Sequence, residues 1–224
     1  MSRVFSRLHP NLADALEEKG WEPTPVQEHV VPDLMEGHDR LVIAPTGSGK
    51  TMAGILPLFH RCLEEGWPSM SILYITPLRA LNRDVDRRLT ELAEAVGLRV
   101  DVRHGDTTQA QRAKQTRKPP NLLVTTPETF QLMFSGKNLR AMLSTVQAVV
   151  VDEVHDLAAS ERGWQLGVGL SRLEALTGRP VQRLGLSATV GNPDAVAHWL
   201  SPGKAKPLIT TGQRITKLTV ESPT

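Results

Sequence analysis

Apolar positions along the chain fall into two alternating rhythms. Short, β-branched and nearly continuous apolar runs recur at 41–44 (LVIA), 71–76 (SILYIT), 98–103 (LRVDVR), 121–126 (NLLVTT), 146–152 (VQAVVVD), 181–187 (VQRLGLS) and 207–211 (PLITT). Runs of this length with little alternation predict strands covered on both faces. Between them apolar residues step by three and four. The clearest such segment, 77–96, carries Leu78, Leu81, Val85, Leu89, Leu92 and Val96 on one stripe. Another, 166–178, closes on Gly178, a residue suited to the left-handed position that ends a helix. Strand–helix alternation predicts βαβ units, and so an α/β fold with a mainly parallel sheet and helices on both faces. The stretch TRKPP (116–120) reads as an exposed loop, and residues 205–224 read as a closing strand plus a linker. In open α/β sheets ligands bind beyond the carboxyl ends of the strands, so chemistry is sought in the residues that follow each run.

After the first run comes APTGSGKT (44–51). Gly47 and Gly49 allow the left-handed turns that a phosphate nest needs. The N–H groups from Gly47 to Thr51 then face an anion, and a helix starting near Lys50 adds its positive end. Lys50 is placed to reach the β- and γ-phosphates of a nucleoside triphosphate, and Thr51 to ligate Mg²⁺. Ala44 stands where the strict G-x-x-x-x-G-K-T pattern has Gly; an Ala in an extended position costs little. An ordinary Gly turn between strand and helix would not need Lys-Thr directly after it.

The fifth run ends in AVVVDEVHDL (148–157), which delivers Asp152 and Glu153 to the carboxyl end of a buried strand. Two adjacent carboxylates there need different tasks. Asp152 is placed to hold Mg²⁺ through water, opposite Thr51, and Glu153 to position and deprotonate an attacking water. If the strand continues, His155 faces the same way as Glu153, which suits a coupling role. The sixth run ends in GLSATV (185–190), where Ser187 and Thr189 are placed to hydrogen-bond the acidic cluster.

Composition narrows the classes. With 26 basic and 24 acidic residues, bulk charge does not mark a nucleic-acid binder, although charges that segregate in the fold can still form a basic groove. A lone Cys62 excludes an internal disulfide and fits a reducing cytoplasm. The beginning of the chain carries no apolar signal stretch, and no apolar run reaches membrane-spanning length.

Taken together and in order, these pieces resemble a superfamily 2 helicase. APTGSGKT resembles motif I, DEVH motif II, SAT motif III, TPLRAL (76–81) motif Ia, TTPE (125–128) motif Ib and PTPVQ (23–27) the Q-motif. The sequences around DEVH and SAT are similar to the large helicase-related (Lhr) group, with the DEAD-box and Ski-two-like groups as neighbours. The resemblance implies an ATP- and Mg²⁺-dependent motor on single-stranded or partly duplex DNA or RNA. It implies adenine recognition by Gln27, phosphate and metal binding by Thr46, Gly47, Ser48, Gly49, Lys50 and Thr51, and metal and water handling by Asp152 and Glu153. Lys50, Asp152 and Glu153 form the implied catalytic set. His155, Ser187 and Thr189 carry coupling; Arg79 and Thr126 carry contacts to the nucleic-acid backbone. Gly105 in RHGDT (103–107) lies in a corresponding loop, and Arg162 with Gly163 lie where the strand path could pass. Phe5 and Trp21 both precede Gln27 as candidates to stack on adenine, and Trp21 also reads as a packing residue.

The implied domain is a RecA-like lobe over 1–205, with 206–224 leading toward a second lobe that supplies an arginine finger. Such an arginine contributes on the order of 10³–10⁵ in rate. The lobe alone is therefore expected to hydrolyse ATP slowly and to unwind nothing. A nucleotide-dependent binding module without catalysis is the competing expectation. A GTPase would need a guanine-reading Asn-Lys-x-Asp, which the sequence lacks, and a small-molecule kinase an Arg-rich lid.

Overall fold

Each of the seven apolar runs forms a strand of one sheet in the computed structural model, which describes residues 3–77, 83–158 and 160–210. The strands are β1 (Arg40–Ile43), β2 (Ile72–Ile75), β3 (Val100–Arg103), β4 (Leu122–Thr125), β5 (Ala148–Val151), β6 (Gln182–Ser187) and β7 (Lys206–Ile209). Their spatial order is β3-β4-β2-β5-β6-β1-β7, and every neighbouring pair is parallel.

Alternation along each strand sorts side chains onto two cores. In β5, Ala148 and Val150 face one core while Val149 and Val151 face the other. The first face is covered by α1 (Pro10–Glu18), α2 (Pro25–Met35), α3 (Lys50–Glu64) and α4 (Arg83–Ala95). The second is covered by α6 (Pro127–Met133), α7 (Lys137–Leu143), α8 (Val154–Ala158), α9 (Glu161–Thr177) and α10 (Pro193–Leu200). Between β3 and β4 runs α5 (Gln109–Arg117). The inner strands β1, β2, β4 and β5 are thus largely apolar on both sides because a helical layer lies over each face, whereas β3 carries Asp101 and Arg103 on one side.

Local chemistry sets the helix ends. Thr24 and Gln27 form a reciprocal capping box at the start of α2, and Thr108 and Gln111 form another at α5. Gly178 closes α9 at φ 65°, as its position predicts. The segment 116–120 is not wholly a loop. Thr116 and Arg117 complete α5, whose capping box starts it at Gln109, and Pro119 and Pro120 prevent it from continuing. Of the stripe predicted over 77–96, Leu89, Leu92 and Val96 are buried in the first core; Leu78 and Leu81 lie outside the described residues. β7 joins the edge of the sheet beside β1, and residues 211–224 lie outside the described residues. Among the described residues no helix is long and apolar enough to cross a membrane.

Candidate nucleotide site and nucleic-acid edge

The strand order sets β5, β6 and β1 side by side, so the residues that follow them meet at one edge of the sheet. From β1 the chain enters the Gly-rich loop. Gly47 at φ 74° and Gly49 at φ 86° hold it in the left-handed region. A Cβ at Gly49 would stand 2.7 Å from Gln27 Nε2 and 3.1 Å from Thr24 Oγ1, so a side chain there would have to displace both. Gly49 caps α3 with no side-chain hydrogen bond, which leaves the first-turn N–H groups of that helix available to an anion. Ser48 Oγ is buried in the same loop and has no hydrogen-bond partner within the described residues. Ala44, the departure from the strict motif, is buried, and its N–H donates to Ser187 O (3.0 Å), tying the loop to β6. Lys50 opens α3 with its side chain mostly buried, and Thr46 is exposed on the loop.

The carboxylates follow from strand geometry. Asp152 lies two residues beyond Val150, so it points to the face that carries Tyr74 and α3, the side of Lys50 and Thr51. It is only 8% exposed. Its Oδ1 accepts from Glu153 N (2.9 Å), and its Oδ2 accepts from the Tyr74 hydroxyl (2.5 Å). Burial raises its pKa, against the opposing pull of the Tyr74 hydrogen bond, the Glu153 N–H and the Lys50 charge. Tyr74 itself is pushed well above the ordinary phenol value by burial and by the Asp152 charge, so it remains a donor.

The strand does not continue to His155. Glu153 takes φ 46°, a left-handed conformation that is rare for a residue with a Cβ and costs about 1–3 kcal/mol where it is held. The turn sends the chain into α8, and this brings His155 back: Nδ1 lies 3.5 Å from Glu153 Oε2 and 2.8 Å from Ser187 Oγ. Ser187 donates to Thr189 O (2.8 Å), so its one proton is committed there and His155 Nδ1 is the donor in their contact. The Ser187 hydroxyl at the end of β6 therefore meets the acidic motif through His155 rather than through its carboxylates. Thr189 contributes its carbonyl, and its exposed side chain sits at the rim of a cavity of about 470 Å³ beside His155, Val190 and Trp199.

On the other side of the loop, Gln27 serves two neighbours. Its Oε1 accepts from Thr24 N (3.1 Å), and its Nε2 donates to Gly49 O (3.2 Å). The capping box of α2 thus also braces the phosphate loop. A cavity of about 340 Å³ opens beside Gln27, lined by Trp21, Glu22, Thr24, Gly47 and Gly49. Trp21, partly buried against the first core, and Phe5, 3% exposed, both line this cavity.

The candidate nucleic-acid residues separate. Arg79 lies outside the described residues. Gly105 borders open space, and its carbonyl, with those of His104 and Thr107, accepts from Arg112, which holds the loop after β3 in shape. Thr126 caps α6: its hydroxyl accepts from Thr129 N and donates to Thr129 Oγ1, so a phosphate contact would require it to change partners. Thr126→Ala is therefore expected to lower stability by about 1 kcal/mol, a fall of roughly 2–4 °C in a thermal melt for a chain of this size. Arg162 pairs with Glu128 of the same α6 turn (2.6 Å) and remains half exposed. Gly163 is buried, and a Cβ there would collide with the Leu157 carbonyl.

Tyr74 and Thr24 belong to this site although neither stood out in the sequence. Thr24 carried a readable signal in its Thr-x-x-Gln spacing. Tyr74 carried none beyond being the chain's only tyrosine.

Comparison with known proteins places these features in a family. Residues 24–196 match the DEAD/DEAH box helicase family. The chain is 44% identical over 194 residues to the Lhr helicase/probable uracil glycosylase of Mycolicibacterium smegmatis, an alignment covering 80% of this chain and 13% of that protein. It is 37% identical over 213 residues to the ATP-dependent helicase Lhr-Core of Methanothermobacter thermautotrophicus, covering 88% of this chain and 25% of that protein. The structure of the Mycobacterium smegmatis helicase Lhr bound to ssDNA and AMP-PNP matches it with a TM-score of 0.85 at 36% identity, over 94% of this chain and 28% of that one. The chain thus spans 13% to 25% of the length of these curated relatives.

Proposed function

The chain belongs to the DEAD/DEAH box helicase family, and from that premise we propose that it is the ATP-binding and ATP-hydrolysing lobe of a motor that moves on a nucleic-acid strand. Its seven-strand parallel sheet is the RecA-like core of that family. The observation that carries the proposal is the convergence of the phosphate loop, Asp152 with Glu153, and His155 with Ser187 from three adjacent strands. A Gly-rich loop alone would bind phosphate. A buried carboxylate facing α3, a second carboxylate beside it and a histidine bridge to the next strand add hydrolysis and a means of passing on the state of the site.

In this reading Thr46, Gly47, Ser48, Gly49 and Lys50 hold the phosphates. The open α3 N-terminus and the unpartnered Ser48 hydroxyl fit that task. The cavity beside Gln27 and Trp21 takes the base, with Gln27 braced against the loop it serves. Thr51 and Asp152 are hard oxygen donors suited to Mg²⁺ shared with phosphates, and no cluster of three metal-binding side chains competes with them among the described residues. The metal when bound would neutralise charge on the phosphates. Glu153 orients the attacking water and takes its proton, and His155 relays the change to Ser187 and the loop after β6. Gly105 and Arg79 contact the strand's phosphates without reading sequence. Because the chain spans only part of its relatives, movement along a strand is assigned to this lobe together with a second RecA-like lobe. A site that turns over ATP on nucleic acid, with a lone buried Cys62, fits the cytoplasm.

The test is ATP hydrolysis by the purified chain with and without single-stranded DNA or RNA. The expected result is slow turnover that rises when nucleic acid is added. Nucleotide binding with no turnover under any condition would instead favour a nucleotide-dependent binding module. Absence of nucleotide binding would overturn both.

A further inference from the structure

We infer that Tyr74 is a positioning residue for the metal side of the nucleotide site: its phenol holds Asp152 in one orientation and ties β2 to the end of β5. The inference rests on the nucleotide reading above and adds a residue to it.

The argument starts from where the hydroxyl lies. Tyr74 sits in a strand whose other residues are Ile72, Leu73 and Ile75, all fully buried, and is itself 2% exposed. A phenylalanine would fill the same space without a polar atom to satisfy, whereas a buried tyrosine hydroxyl needs a partner. The partner is Asp152 Oδ2, at 2.5 Å. Register explains how two residues 78 apart in sequence meet: Tyr74 lies opposite Val150, and Asp152 stands on the same face two residues further on. Thr51 lies in the first turn of α3, the helix that covers the face to which Tyr74 and Asp152 point. One side chain from β2 therefore holds the carboxylate that β5 offers to a metal.

The effect on Asp152 is geometric. The Glu153 N–H holds Oδ1, and the Tyr74 hydroxyl holds Oδ2. With a donor on each oxygen the plane of the carboxylate is set, while a carboxylate has lone pairs beyond these two for further partners. Groups that orient metal ligands without touching the metal typically matter about 10–100-fold to metal affinity.

Two experiments test this on the purified chain. In the first, binding of a fluorescent non-hydrolysable ATP analogue is titrated with Mg²⁺ and compared with binding in EDTA, for the wild type and Tyr74→Phe. The Mg²⁺ midpoint is expected to rise about 10-fold in Tyr74→Phe while affinity in EDTA stays within about twofold, since only the metal side loses a contact. A purely structural tyrosine would weaken both equally, and an unchanged Mg²⁺ midpoint overturns the inference. The second experiment needs no variant. The chain has one tyrosine, so tyrosine labelled with ¹³C at Cζ gives a single signal from this phenol. That signal is expected to move when Mg²⁺ is added to the analogue-bound protein; a signal that stays in place overturns the inference even where Tyr74→Phe fails to fold. A wild type that binds no analogue defeats the nucleotide reading itself, whereas analogue binding with an unmoved midpoint defeats only the role of Tyr74.

Discussion

Glu153→Gln is expected to abolish measurable ATP turnover and leave nucleotide binding intact. Glutamine keeps the shape of the side chain and its capacity to accept a hydrogen bond, but it cannot take up a proton at neutral pH. Loss of a positioned general base costs about 10²–10⁴-fold in rate, which would take slow basal turnover below detection. Binding should persist because the groups assigned to phosphate and base lie in the loop after β1 and beside Gln27. The fold should persist too: the amide carries no buried charge, and the left-handed backbone at φ 46° belongs to the main chain rather than to the carboxylate. Phosphate release and analogue binding, measured on the same preparation, check both halves. Undiminished turnover would show that another group is the base.

Gly163→Ala is expected to be the most damaging single-methyl change to stability. A Cβ there would lie 1.9 Å from Leu157 O and 2.6 Å from Leu157 C, both main-chain atoms at the end of α8. Main chain cannot rotate away as a flexible side chain does, so α9 must shift off α8. That shift would also pull Gly163 N from the Ser160 hydroxyl that caps the helix. Overpacking of this kind costs about 1–3 kcal/mol, and more where backbone meets backbone. A loss of about 3 kcal/mol lowers the melting midpoint by roughly 6–12 °C in a chain of this length. Gly105→Ala is the control: its added methyl would enter open space, and its effect should stay within about 0.5 kcal/mol. Equal melting of the two variants would mean that α9 adapts without cost.

The sequence made the strands legible and most of the short helices illegible, for a physical reason. A strand covered on both faces has no polar side to interrupt it, so β1, β2, β4 and β5 stand out as unbroken apolar runs. Helices of five to seven residues such as α6, α7 and α8 make at most two turns, too few to display a period. The Thr-x-x-Gln spacings that start α2 and α5 were readable signals of a helix end, yet in PTPVQ that signal coincides with the residue assigned to adenine. One position serves a cap, a loop brace and a candidate base contact.

What the sequence by itself determined is therefore the set of parts: a parallel α/β sheet, a phosphate loop with its Lys and Thr, and a carboxylate pair at a strand end. These depend on residues adjacent in the chain, whose spacing dictates local backbone. What only the tertiary structure decided is which parts meet. The order β5-β6-β1 joins His155 to Ser187, the left-handed turn at Glu153 rather than a longer strand brings His155 into place, and the pairing of β2 with β5 carries Tyr74 to Asp152. Each of these contacts is set by strand order and register, which arise from the packing of the whole sheet between its two helical layers and leave no mark at any single position in the chain.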